Sequence, residues 1–222
     1  VLGADDPDTL DSVDCLGDLL QDQGKYDEAE PLLRRVLEVR ERVLGADNED
    51  TLDSVQCLGT LLRAQGKYDE AEPLIRRALE GQERVLGVDD EGTLVSVNNL
   101  GVLLQVQGKL EEAEVLYRRV IEGNQRVLGV DNRSTLNSVG NLGDLLQDQG
   151  KYDEAEPLLR RALEGQECVL GADDPDKLGS VDSLGKLLQA QGKYDEAEPL
   201  LRRCLEERER VSGSASSYLP CA

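Results

Sequence analysis

Between Leu10 and Leu20 the apolar residues fall at Leu10, Val13, Leu16, Leu19 and Leu20, three and four apart with one adjacent pair. That spacing lines one face of an α-helix. Gly24 interrupts the pattern, and a second stripe runs through Tyr26, Ala29, Leu32, Leu33, Val36, Leu37, Val43 and Leu44 before Gly45. The chain is therefore expected to fold here as two helices joined by a tight turn. Each ends at a glycine, the residue that most readily takes the left-handed conformation of a helix C-terminus. Asp6 is placed to cap the first helix, because its short side chain can accept from an orphan N–H of the first turn. Pro7 suits the first helical position. Pro31 lies in the first turn of the second helix or just beyond, where at most one hydrogen bond is lost.

The whole pattern returns every 42 residues. QGKYDEAEPLLRR, residues 23–35, recurs letter for letter at 149 and 191, and in near copies at 65 and 107. A period of 20 to 50 residues marks an array of stacked units. The units are 1–42, 43–84, 85–126, 127–168 and 169–210, read as one continuous array; residues 211–222, VSGSASSYLPCA, carry no repeat signal and are expected to form a flexible tail. One helix pair cannot bury its apolar stripe alone, so the copies exist to pack on one another. The cap position holds Asn48, Asp90, Asn132 and Asp174 in the later units. Ser12 recurs as Ser54, Ser96, Ser138 and Ser180. Gly81, Gly123 and Gly165 fall in mid-helix, where glycine costs about 1 kcal/mol against alanine, so this stretch is expected to be soft.

Composition narrows the chemistry. The 46 acidic residues outnumber the 25 basic ones, for a net charge of −21. Binding a phosphate backbone needs clustered Lys and Arg, so nucleic acid and anionic membranes are poor partners. No apolar run approaches the roughly 18 residues of a membrane span. The sequence does not start with Met but starts in register with the repeat, which favours a piece of a longer protein. Cys15, Cys57, Cys168, Cys204 and Cys221 are odd in number and form no CxxC pair. Cys15 and Cys57 share a repeat position, and equivalent atoms of stacked helices lie about 10 Å apart, beyond the roughly 7 Å a disulfide spans. Free thiols in a reducing, cytoplasmic setting are expected.

No histidine is present, so no serine or cysteine triad can form. Asp5, Asp6 and Asp8 lack the spacing of a calcium loop. Paired carboxylates are common but fall on a solvated surface, where nothing is expected to raise the pKa of one of them. Catalysis, a metal and a cofactor are therefore not expected.

Leu16-Gly17-x2-Leu20 followed by Ala29-x3-Leu33 resembles the tetratricopeptide pattern, with Val13 in place of its Trp, Leu20 in place of its Tyr and no terminal Pro. HEAT and armadillo arrays have a similar period but lack this L-G and A-x3 spacing. The 42-residue unit, with LGADDPDTL and LYRRVIE, is similar to the repeats of the kinesin light chain family, and also to those of nephrocystins and of the tails of some nucleotide-binding sensor proteins. The resemblance covers residues 1–210. It implies an all-α solenoid of five helix-turn-helix units in a right-handed superhelix. It also implies that the first helix of each pair lines a concave groove for a peptide.

Carried over residue by residue, the groove takes Gln56 and Arg63 from the second repeat, and Val95, Asn98, Asn99, Val102 and Gln105 from the third. The fourth gives Asn137, Asn141 and Gln147, and the fifth Lys186. Amides such as Asn98, Asn99 and Asn141 suit an extended peptide because they both donate and accept. The valines offer an apolar floor. Only Arg63 and Lys186 are basic among many aspartates, so the expected ligand is a protein or peptide with a Lys or Arg and an apolar residue. Two functions stand side by side: an adaptor scaffold similar to a kinesin light chain, or a spacer or regulatory tail of a larger protein with no groove ligand of its own. Leu200, Leu201 and Cys204 are expected to leave an apolar end that self-associates.

Overall fold

The computed structural model describes residues 7–169 and 174–216. Ten helices, and no strands, are found among the described residues, and the chain divides into two compact units, Val1–Lys109 and Leu110–Ala222. The division falls inside the third repeat, between its two helices.

The first unit holds α1 (Pro7–Asp22), α2 (Tyr26–Val43), α3 (Glu49–Ala64), α4 (Tyr68–Val85) and α5 (Glu91–Val106), each packed on the next. The second holds α6 (Leu110–Val127), α7 (Arg133–Asp148), α8 (Tyr152–Val169), α9 (Pro175–Ala190) and α10 (Tyr194–Ser216), packed likewise. The helix ends follow the local rules. Asn48, Asp90, Asn132 and Asp174 each accept from a first-turn backbone N–H; Asp6 lies outside the described residues. Gly24, Gly66, Gly108, Gly150 and Gly192 have φ between +72° and +78°. After α1 the chain closes in a Schellman motif, with Lys25 N donating to Leu20 O at 2.8 Å and Gly24 N to Gln21 O at 2.9 Å.

The core of the first unit is built from Leu52, Val55, Leu58, Leu61 and Leu62 of α3 with Ala29, Leu33, Ala71 and Ile75 of the helices on either side. The α7 residues Leu136, Val139, Leu142, Leu145 and Leu146 do the same for the second unit. The leucine-glycine pair of the motif lets the helices touch: a Cβ on Gly59 would lie 2.7 Å from the Ile75 side chain, and one on Gly143 2.7 Å from Leu159.

Three expectations need correcting. Gly81 and Gly165 are sockets rather than soft spots, since a Cβ there would stand 2.4 Å from Leu52 and 2.5 Å from Leu136. α10 continues to Ser216, past the end of the fifth repeat and into the segment expected to be a flexible tail, because no proline stops the backbone ladder before that point. Cys204 is buried against its own repeat, its Sγ 3.8 Å from Leu178 O, so the exposed apolar residue of that stripe is the next one, Leu205. Cys15, Cys57, Cys168 and Cys204 are free thiols; Cys221 lies outside the described residues. No helix among the described residues is long and apolar enough to cross a membrane.

Candidate functional site

Within each unit the first helices of neighbouring repeats touch, α3 with α5 and α7 with α9. Gln56, Arg63, Val95, Asn98, Asn99, Val102 and Gln105 therefore lie on the adjoining helices α3 and α5 of the first unit. Asn137, Asn141, Gln147 and Lys186 lie on α7 and α9 of the second. Each face is described by itself.

Several of these polar groups already have work to do inside the fold. The fortieth residue of each repeat sits on the second helix and reaches the first helix of its own repeat and the serine of the next one. In the first repeat this residue is Arg40, buried on α2. It donates to Ser54 Oγ at 2.7 Å and Asp11 Oδ1 at 2.8 Å, and pairs with Asp14. In the second it is Gln82, which donates to Asp53 Oδ1 at 3.2 Å. Ser96 Oγ donates toward Gln82 Oε1 and, at 3.1 Å, toward Gln56 Oε1. In the third it is Asn124, donating to Ser138 Oγ at 3.3 Å. In the fourth it is Gln166, which donates to Asn137 Oδ1 at 2.8 Å, while Asn137 Nδ2 donates to Asp176 Oδ2 at 2.7 Å. These bonds account for the recurring serine. They also place Gln56 and Asn137 in the joints between repeats, as well as on the faces where a ligand could sit.

The rest of the α5 face is different. Val95 and Val106 are exposed, Asn98, Asn99 and Val102 are half-buried, and Asn99 makes no side-chain hydrogen bond among the described residues. Arg63 and Gln147 are half-buried, with the Arg63 Nε and Gln147 Oε1 atoms unbonded among the described residues. Lys186 is exposed and paired with Asp182 at 2.9 Å.

The electrostatics hold one surprise. Burial pushes the Asp144 carboxyl on α7 up to about 6, against a hydrogen bond from Ser183 that favours the ion. The expectation that no surface carboxylate would be raised is thus wrong at this residue, because α9 packs across α7 and removes water. Burial also pushes the Cys57 thiol up to about 12, with Asp18, Asp14 and Asp53 adding to the shift, so it is a poor nucleophile at neutral pH. Among the described residues no group of His, Cys, Asp and Glu could hold a metal ion.

A second network ties the repeats together and explains the repeated thirteen-residue stretch. Glu30 Oε2 takes Lys67 Nζ of the next repeat at 2.7 Å, and Glu30 Oε1 takes its own Arg34 at 2.8 Å. Glu72 does the same with Lys109 (2.8 Å), Gln107 (3.0 Å) and Arg76 (2.9 Å). In the second unit Glu114 takes Lys151, Gln149 and Arg118, and Glu156 takes Lys193, Gln191 and Arg160. These bonds, led by the lysine at Glu30, Glu72 and Glu156 and by Arg118 at Glu114, hold all four carboxyls down to about 2.

Tetratricopeptide repeat models match residues 52–126 and 96–167, and further ones match 9–50 and 178–217. The chain belongs to the tetratricopeptide repeat family. The fold is that of a protein-interaction scaffold. Among solved structures this tetratricopeptide protein is similar to the nearly identical TPR-like repeats of a Podosopora anserina protein named as a kinesin light chain. The identity is 27%, the TM-score 0.73, and 91% of this chain and 96% of that one are covered. It is also similar to BtubC (BKLC) from P. vanneervenii, at 24% identity and a TM-score of 0.77 over 96% and 84% of the two chains. A third is the Rap conjugation gene regulator of the plasmid pLS20 in complex with the Phr* peptide, at 14% identity and a TM-score of 0.73 over 88% and 52%. No curated protein matches the sequence.

Proposed function

We propose that this tetratricopeptide protein is a non-catalytic, cytoplasmic adaptor, kinesin light chain-like in its use. It would hold an extended segment of a partner protein on the exposed face of its first helices. The observation that carries this reading is α5. There the repeat departs from its own pattern and presents Val95, Asn98, Asn99, Val102 and Val106 in place of the acids and amides of the other copies. Valines beside an unbonded Asn99 amide suit a segment with an apolar side chain and free backbone groups. The exposed aspartates Asp18 and Asp22 on α1 favour a Lys or Arg toward the first repeat. A structure of the same fold holds a peptide, the Rap regulator with Phr*.

The spacer reading is favoured by a specific observation too, since Gln56 and Asn137 have partners within the fold. The two readings separate in a selection of random peptides against the chain, repeated with Asn99→Ala and with Asn141→Ala. An enriched motif with one basic and one apolar residue, lost in Asn99→Ala, supports the adaptor. No enrichment, or hits that both variants retain, favours the spacer.

A further inference from the structure

The network around Glu30, Glu72, Glu114 and Glu156 has a fifth copy that is left open. Glu198, the equivalent residue on α10, meets only its own Arg202, at 2.7 Å, and its side chain is 64% exposed where the other four are 17–20% exposed. Around it lies a cleft of about 490 Å³ lined by Tyr194, Ala197, Leu201, Arg202 and Leu205. Leu205 is 57% exposed, whereas Leu37, Leu79 and Leu163 at the same place in other repeats are buried.

At the other end of the chain α1 shows the matching half. Leu16 and Leu19 are 45% and 53% exposed. In the four later repeats the same two positions are at most 2% exposed, because the preceding repeat covers them. Gln23 and Lys25, which would complete a carboxylate joint, make no side-chain bond among the described residues.

We infer that the α1 face of one copy docks on the α10 face of a second copy, head to tail, reproducing the joint that α9 already makes with α8. In that joint Glu156 accepts from Lys193 at 2.7 Å and Gln191 at 3.0 Å, and Arg160 donates to Glu196 at 2.7 Å. Residues 149–161, 191–203 and 23–35 are identical, so Glu198 and Arg202 present what Glu156 and Arg160 present, and Gln23, Lys25 and Glu28 present what Gln191, Lys193 and Glu196 present. The apolar halves match as well: Leu10, Val13, Leu16, Leu19 and Leu20 on α1 stand where α9 has Leu178, Val181, Leu184, Leu187 and Leu188. The joining surfaces are different patches, so the contact is heterologous and adds copies in a row rather than pairing two. The net charge of −21 opposes the association, and physiological salt screens it beyond about 8 Å. The inference is independent of the groove reading.

Sedimentation velocity of the 222-residue chain at 0.15 M salt tests it. The expected result is a ladder of species that lengthens with concentration. Leu19→Asp and Leu205→Asp each shift that growth to at least about tenfold higher concentration. Both sites are exposed, and unchanged circular dichroism checks that folding is intact. Mixed in equal amounts, the two variants form a dimer and stop, since each keeps one working end. Lys25→Glu and Glu198→Lys each weaken the ladder about fivefold, and the double swap restores it. A strict monomer at the highest concentration overturns the inference. So does a dimer that only one of the two leucine variants removes, which would be a like-with-like pair, and so does a mixture that stays monomeric.

Discussion

The two kinds of joint between repeats solve the same packing problem in opposite ways. At the turn end of the helices, a glutamate, a lysine, a glutamine and an arginine meet in the same arrangement four times. At the other joint, where the fortieth residue of each repeat is buried, four different side chains, Arg40, Gln82, Asn124 and Gln166, reach four different sets of partners. The first joint is half-exposed, so its geometry rests on charge and tolerates no change of type. The second is dry, and what matters there is that every donor finds an acceptor. Ion pair or amide network will serve, provided that partners change together. Variation among repeats is thus not by itself a sign of a ligand site.

The buried joint should respond most strongly. Arg40→Gln leaves Asp14 partly buried without its cation, and an expected loss of about 2–3 kcal/mol should appear in urea unfolding. Burial already pushes the Asp14 carboxyl upward against the pull of Arg40, so its neutralisation limits the damage. Adding Asp14→Gln rebuilds the set found in the second repeat, where Asp53, Gln56 and Gln82 stand in those places. At least half the loss should return. If the double variant is no better than the single one, partner exchange is not the rule of this joint.

At the charged joint, Glu72→Gln should cost about 1 kcal/mol, because its partners are two-fifths exposed and solvent screens them. The sign of the pH effect follows from carboxyls held at about 2, below the 4.5 of an unfolded glutamate. Their stabilisation is full above pH 4.5 and is lost as the pH falls through about 2. Thermal melts of the wild type and Glu72→Gln should therefore differ at pH 6 and converge near pH 2.

Asp144 has the opposite sign. Its carboxyl, at about 6 in the fold against 3.8 unfolded, opposes folding above pH 6, and the penalty fades as the pH falls toward 3.8. Asp144→Asn should stabilise the second unit by about 1 kcal/mol at pH 7 and leave it unchanged near pH 4. A variant equally stable at both pH values relative to wild type would sink this assignment. The smallest effect is expected at Cys57, whose alkylation at pH 8 should lag that of the exposed Cys15 by an order of magnitude or so.

The ends of the helices were legible in the sequence because their causes are local. Asn48 caps α3 through a bond two residues on, and Gly24 turns the chain through its own φ. The recurring serine could be seen but not explained, since Ser54 is held by Arg40 across fourteen residues and two helices. Asn137 looked available for the same reason: its partners, Gln166 and Asp176, are 29 and 39 residues away. Cys204 was misplaced by a single residue on its helix, which is enough to exchange the inward face for the outward one. The α5 face was legible because it breaks the repeat, and a departure from a pattern needs no partner to be noticed.

The sameness of the charged joint makes its parts interchangeable. Deleting residues 43–84 would bring Glu30 against Gln107 and Lys109, the same two residue types it meets now in Gln65 and Lys67. Arg40 would find Ser96 where Ser54 had been. The shortened protein keeps every reading frame of its contacts. A gene written this way can gain or lose a unit by slippage between its own copies and still encode a chain that folds.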